Sequence, residues 1–180
     1  LKQTKMLNYL LNDPTGFFAQ LKSELSFVQS KLAKKKNPTK LVVRWHDAGD
    51  IQGVSHLQSI VDIAKALPDT KFWIPTREAH VVKQWKGGHN DKCGPLCKLV
   101  HMSRKLPSNL CVRLSATMLD TKPPKSVGLE GLPTSTVHTK EHLGKPGESI
   151  VCGAPKRGGE CGSCRACWSP KVANISYHNH

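Results

Sequence analysis

Through its first two thirds the chain switches between apolar residues at helical spacing and short unbroken apolar runs. Met6, Leu7, Leu10 and Leu11 predict a short amphipathic helix over residues 2–11. Asp13-Pro14-Thr15 breaks it and offers cap chemistry for a second helix. That helix, over 16–35, carries the stripe Phe17, Phe18, Leu21, Leu25, Val28 and Leu32 and ends in lysines that complement the negative end of its dipole. Asn37-Pro38 stops it, and residues 41–46 form a buried strand. Ser55 is placed to cap a helix bearing Leu57, Ile60, Val61, Ile63, Ala64 and Leu67, and Pro68-Asp69 turns the chain into a second strand over 71–75. A helix over 78–85 ends at Gly87-Gly88, a weaker one covers 96–105, and a third strand covers 110–114.

A strand, a helix of about a dozen residues and another strand require parallel pairing and a right-handed crossover. The repetition predicts an α/β fold: parallel βαβ units in a partial (β/α) barrel or an open sheet, occupying residues 1–120. Composition then changes. Pro123, Pro124, Pro133 and Pro146, among many Thr, Ser and Gly, mark 121–149 as an irregular connection with one short strand near 136–138. Residues 150–180 are a cysteine-rich metal-binding segment that ends in a strand over 173–177.

Charge changes the picture of partners. The chain has 180 residues, with 27 Lys+Arg against 13 Asp+Glu and a formal net charge of +14. The excess is shared evenly between its halves, and one local run stands out, Lys34-Lys35-Lys36 with Lys31 and Lys40 beside it. A field of this sign attracts phosphate backbones, which makes nucleic acid a candidate partner. The plainer alternative is a surface kept soluble by its charge. No apolar run approaches the ~20 residues of a membrane-spanning helix, so no membrane partner is expected, and the host-cell cytoplasm is the expected location. The sequence starts at Leu1 and shows no secretory pattern, as expected of a piece whose upstream part lies elsewhere.

Of seven cysteines, four form the strongest local signal, Cys152-x8-Cys161-x2-Cys164-x2-Cys167. Successive x2 spacings let one loop wrap a single centre, with Gly158, Gly159 and Gly162 permitting the turns this needs. The spacing favours an iron–sulfur cluster (4Fe-4S) over zinc, which more often uses two separated C-x2-C pairs. Lys156, Arg157 and Arg165 would offset thiolate charge. Unmetallated thiols or disulfides are the remaining alternative. Cys93-x3-Cys97 begins a radical-SAM spacing, but the third position is Val100, which cannot ligate. Cys111 lies in a strand and fits a small core residue.

Ligands of parallel sheets gather at the carboxyl ends of the strands. The first strand delivers His46, Asp47 and Asp50 there, the second Arg77 and Glu78, the third Arg113 and Ser115. His46, Asp47, Asp50, Arg77 and Arg113 are the candidate catalytic rim. Imidazole, carboxylates and arginines together suit a polar or phosphorylated ligand. The alternative is that Asp50 and Glu78 cap helices or pair with the arginines.

Three ordered motifs, Arg44-Trp45-His46-Asp47-Ala48-Gly49-Asp50, Phe72-Trp73-Ile74-Pro75-Thr76-Arg77 and Cys161-Gly162-Ser163-Cys164-Arg165-Ala166-Cys167-Trp168, resemble the phage gene-product-88 family of phages and mobile bacterial elements. The resemblance covers most of residues 1–178. It implies a (β/α) architecture reminiscent of a partial radical-SAM barrel, with a C-terminal cysteine motif and further cysteines upstream. The expected function is a metal-binding, iron–sulfur protein of a phage or mobile element acting on or near nucleic acid, with enzymatic activity left open. The alternative is a non-enzymatic nucleic-acid-binding protein with structural zinc, and a third reading is a structural interaction protein.

Overall fold

The computed structural model describes residues 2–46, 49–87, 104–125, 127–143 and 149–179. Among the described residues six strands form one sheet: β1 (Val42–Arg44), β2 (Lys71–Thr76), β3 (Leu110–Ser115), β4 (Thr134–His138), β5 (Ser149–Val151) and β6 (Asn174–His178). Their order is β1-β2-β3-β4-β6-β5. Every neighbouring pair is parallel, as expected for the first three strands. The sheet is open, with β1 and β5 as its edges. The stretch expected as an irregular connection supplies β4, so a single sheet threads all three sequence segments.

The helices are α1 (Lys2–Asn12), α2 (Pro14–Ala33), α3 (Val54–Ala66) and α4 (Ala79–Lys86). Asp13 caps α2 as the sequence suggests, its Oδ1 accepting from Gly16 N at 2.8 Å, with Pro14 at the first helical position. At α3 the expectation fails: Gly53 holds the cap position and Ser55 lies inside the helix. The helix expected over 96–105 falls almost wholly outside the described residues, as do Cys93 and Cys97.

Strand alternation divides the sheet into two unlike faces. Phe72, Ile74, Leu110, Val112 and Leu114 point to one face and pack against Leu57, Ile60, Val61 and Ala64 of α3, Val81, Val82 and Trp85 of α4, and Phe18 of α2. Each such large side chain, fully withdrawn from water, contributes ~1.5–3 kcal/mol. Trp73 and Ile175 point the other way and pack against Cys167 of the cysteine loop. Topology explains the division. Crossovers of one hand that step in one direction from β1 to β4 put their helices on one face. The return from β5 to β6 steps backward, so the same hand places residues 152–173 on the opposite face.

Candidate functional site

A cleft of about 900 Å³ opens at the carboxyl edge of the sheet, lined by Arg44, His46, Asp50, Trp73, Arg77 and Tyr177 among others. This is where a parallel sheet leaves strand ends and loop backbone facing a crevice. His46 sits just beyond β1 in the left-handed region (φ 58°), which costs a non-glycine residue on the order of 1 kcal/mol. Its Nε2 is buried without a hydrogen-bond partner, and its ring lies 5.3 Å from that of His56. Burial lowers its pKa, against an opposing pull from Asp50, so His46 is a neutral imidazole at physiological pH. Burial, with the charge of His46 adding to it, holds His56 at about 4. Trp73 likewise buries an unpartnered Nε1, and the Arg44 guanidinium lies 5.1 Å over its ring. The cleft thus contains neutral polar groups without internal partners beside two exposed arginines, Arg44 and Arg77.

Asp50 lines this cleft but its carboxylate is engaged. It accepts from Ile51 N at 2.7 Å, Thr76 Oγ1 at 2.6 Å and Arg77 N at 2.8 Å. The Thr76 hydroxyl in turn accepts from Glu78 N at 3.0 Å, and Glu78 lies 3.2 Å from His80. Asp50 therefore clasps the segment after β1 to the turn between β2 and α4. It positions the rim and is no free base. Asp47 lies outside the described residues.

Arg113 is not on the rim. It stands in the middle of β3, fully buried, on the face away from the helices. Its guanidinium donates to the carbonyls of Thr134 (2.7 Å), Val172 (3.1 Å), Ser169 (3.1 Å) and Ala166 (3.4 Å), while Nε has no partner. A residue within a strand projects perpendicular to the sheet, not out of its end, and this one reaches under the cysteine loop and holds it down. Trp168 Nε1 adds a second tether by donating to Val43 O at 2.9 Å.

Within the loop, Gly158 (φ 64°), Gly159 (φ 88°) and Gly162 (φ 53°) make the left-handed turns the sequence suggested. Arg165 donates to the carbonyls of Gly162 (2.6 Å) and Cys164 (2.7 Å). Cys111, Cys152, Cys161, Cys164 and Cys167 are all free thiols. Cys167 is buried and its Sγ lies 3.1 Å from Tyr177 Oη. Burial raises its pKa, a Tyr177 hydrogen bond and Arg113 oppose, and Cys152 and Cys161 add to the rise. Cys152 and Cys161 therefore each act electrostatically on Cys167, while Cys164 is exposed. Among the described residues, no three His, Cys, Asp or Glu side chains stand as a ready-made metal cage.

Sequence reasoning passed over Arg44, Trp73 and Tyr177 as site residues. A signal existed for the first two: they occupy paired register positions of β1 and β2, on the face that the apolar alternation leaves away from the helices. Tyr177 had none, because its place beside Trp73 (ring centroids 6.4 Å apart) depends on β6 inserting next to β4.

An open parallel α/β sheet, with helices on one face, a cysteine loop on the other and a cleft at its carboxyl edge, defines the class of protein. The chain belongs to the gene product 88 family, whose model matches residues 2–170. No curated protein and no solved structure matches it. Among the described residues no helix is long and apolar enough to cross a membrane.

Proposed function

We propose that this is a metal-dependent protein of a phage or mobile element, in which Cys152, Cys161, Cys164 and Cys167 hold an iron–sulfur cluster and the carboxyl-edge cleft takes a phosphorylated ligand, on or beside nucleic acid. The observation that carries this reading is Arg113. A fully buried guanidinium that donates to four carbonyls and reaches the neutral Cys111 thiol, with no carboxylate partner among the described residues, carries a positive charge without a counter-charge. Burying a charge in this way costs several kcal/mol unless a counter-charge is near. Thiolates of Cys152, Cys161, Cys164 and Cys167 holding a metal would supply that counter-charge. The chemistry of the donor set supports it: four thiols on one short segment, of which Cys152 and Cys161 act electrostatically on the buried Cys167 while Cys164 faces solvent. When bound, an iron–sulfur cluster would supply electron transfer or Lewis acidity; zinc in the same thiols would supply structure alone.

At the cleft, Arg44 and Arg77 are placed to hold phosphate oxygens, and the neutral His46 Nε2 is the group free to exchange a proton with a bound ligand. The consecutive order of β1 to β4, with helices on one face, supports reading the sheet as an arc of a (β/α) barrel. Anaerobic purification with metal analysis and a visible spectrum tests the reading. Stoichiometric iron and a brown chromophore, both lost in Cys161→Ser and Cys167→Ser, support it. Stoichiometric colourless zinc turns it to the non-enzymatic alternative, and full-chain protein that takes up no metal overturns it.

A further inference from the structure

The amino edge of the sheet carries a second groove, of about 490 Å³, lined by Lys40, Lys71, Lys171, Asp69, Asn109 and Trp168 among others. Lys40 approaches β1, Lys71 opens β2 and Lys171 lies on the stretch leading to β6, so strand starts bring together lysines far apart in sequence. The run Lys34-Lys35-Lys36, just past the end of α2, leads into Lys40 and the same edge. Asp69 is the one carboxylate among the lining residues.

We infer that this groove binds single-stranded nucleic acid, with phosphates on Lys40, Lys71 and Lys171 and a base against Trp168. Lysine ammoniums are point charges on flexible stems, suited to tracking a phosphate backbone without reading its sequence. Trp168 adds what a merely soluble surface lacks: a half-buried indole fixed by its Nε1 bond to Val43 O at 2.9 Å and by an edge-on contact with Trp73 at 5.4 Å, with the exposed Arg165 guanidinium 6.0 Å over its ring as the group a base would displace. A fixed aromatic beside a cationic track is the arrangement that holds unpaired bases, since every base has a face to stack and only a single strand exposes it. Acidic protein would satisfy the lysines but not the indole. The inference deepens the nucleic-acid part of the proposed function by naming strandedness and place, and leaves the metal out of account.

The test is fluorescence anisotropy of a labelled 12-nucleotide thymidine oligomer on the full chain across a salt series. Binding at low salt, with at least tenfold weaker affinity in the Lys40→Glu/Lys71→Glu/Lys171→Glu variant, supports the inference. The salt slope of that variant should also be smaller by about 2, since each phosphate that a lysine neutralises on a single strand adds about 0.7. A charge-matched control, Lys122→Glu/Lys125→Glu/Lys140→Glu, reverses exposed lysines on the stretches following β3 and β4 and is expected to stay within about threefold of the parent. Circular dichroism on each variant confirms that comparison is between folded proteins. Equal losses in the two triple variants overturn the groove while keeping nucleic acid as a partner. No binding by the parent chain at low salt overturns both. Equal affinity for a duplex of the same length, or for polyglutamate, overturns the stacking role of Trp168.

Discussion

On the helix face of the sheet, Phe72, Ile74, Leu110, Val112 and Leu114 meet aliphatic and aromatic side chains of α2, α3 and α4. On the other face the cover is a loop of glycine, cysteine and arginine, held by an interior guanidinium that grips carbonyls and by an indole tether to β1. The first attachment is spread over area, so a single defect lowers the stability of the whole layer without detaching it. The second is concentrated in a few directional bonds, so it is released or retained nearly as a unit. One sheet therefore carries a stable layer and a separable layer, and the cleft at the carboxyl edge opens on the face of the separable one.

The largest effect should come from the helix face. Phe72→Ala removes a fully buried ring stacked near Trp45, and should cost ~3–5 kcal/mol of unfolding free energy in urea titrations. A cost below ~1.5 kcal/mol would show a face that yields by collapse, and would remove the contrast. Acid should act on the same face. His56, packed near Phe18, is held at about 4 in the folded chain against 6.5 ordinarily. The unfolded chain therefore binds the extra proton first. The contribution of His56 is complete above pH 6.5 and is lost as pH falls toward 4, by up to ~3 kcal/mol. His56→Phe should flatten that part of the pH profile of the urea midpoint.

Arg113→Met should cost about 2–3 kcal/mol, because carbonyls of Thr134, Val172 and Ser169 lose their donor while a buried charge is relieved. Its signature is selective. The Cys167 thiol should become accessible to an aromatic disulfide reagent in buffer, while far-ultraviolet circular dichroism stays that of the parent. If thiol exposure appears only with global unfolding, the two layers are one cooperative unit. The smallest effect is expected at the junction of the two layers. Asp50→Asn keeps the shape but mismatches a donor against Arg77 N or Thr76 Oγ1, costing about 1–2 kcal/mol. It should weaken inorganic phosphate binding at the cleft, measured by calorimetry, more than it shifts the urea midpoint.

The same contrast decides what could be read from the sequence. Apolar periodicity located the described helices and the three strands they pack on, because packing against a helix layer imposes its period on the residues. The strands expected near 136–138 and 173–177 were found too, but not their neighbours. Thr134, Ser135 and Thr136 carry no apolar run, and the insertion of β6 between β4 and β5 is decided by pairing between distant segments. Arg113 was legible as a strand residue and misplaced as a rim residue, since apolar neighbours on both sides say that a strand is buried without saying what lies above it. His46, Asp50 and Arg77 do reach the carboxyl edge, where strand direction alone put them. Asp50 then turns out to be committed to backbone and Thr76, which only the fold of the turn after β2 could reveal.

The strand order has one further consequence, for the life of the chain before it is folded. β6 is synthesised after every other described strand of the sheet, yet it occupies an inner position between β4 and β5. Until it emerges from the ribosome, β4 presents an unpaired edge and β5 has no neighbour within the sheet. The layer from β1 to β4 can assemble during synthesis, because its contacts close in order along the chain. The remainder waits for β6, and a polypeptide halted before Asn174 would display a ready template for strand addition by another copy. Synthesis of residues 174–178 is then the event that seals the sheet.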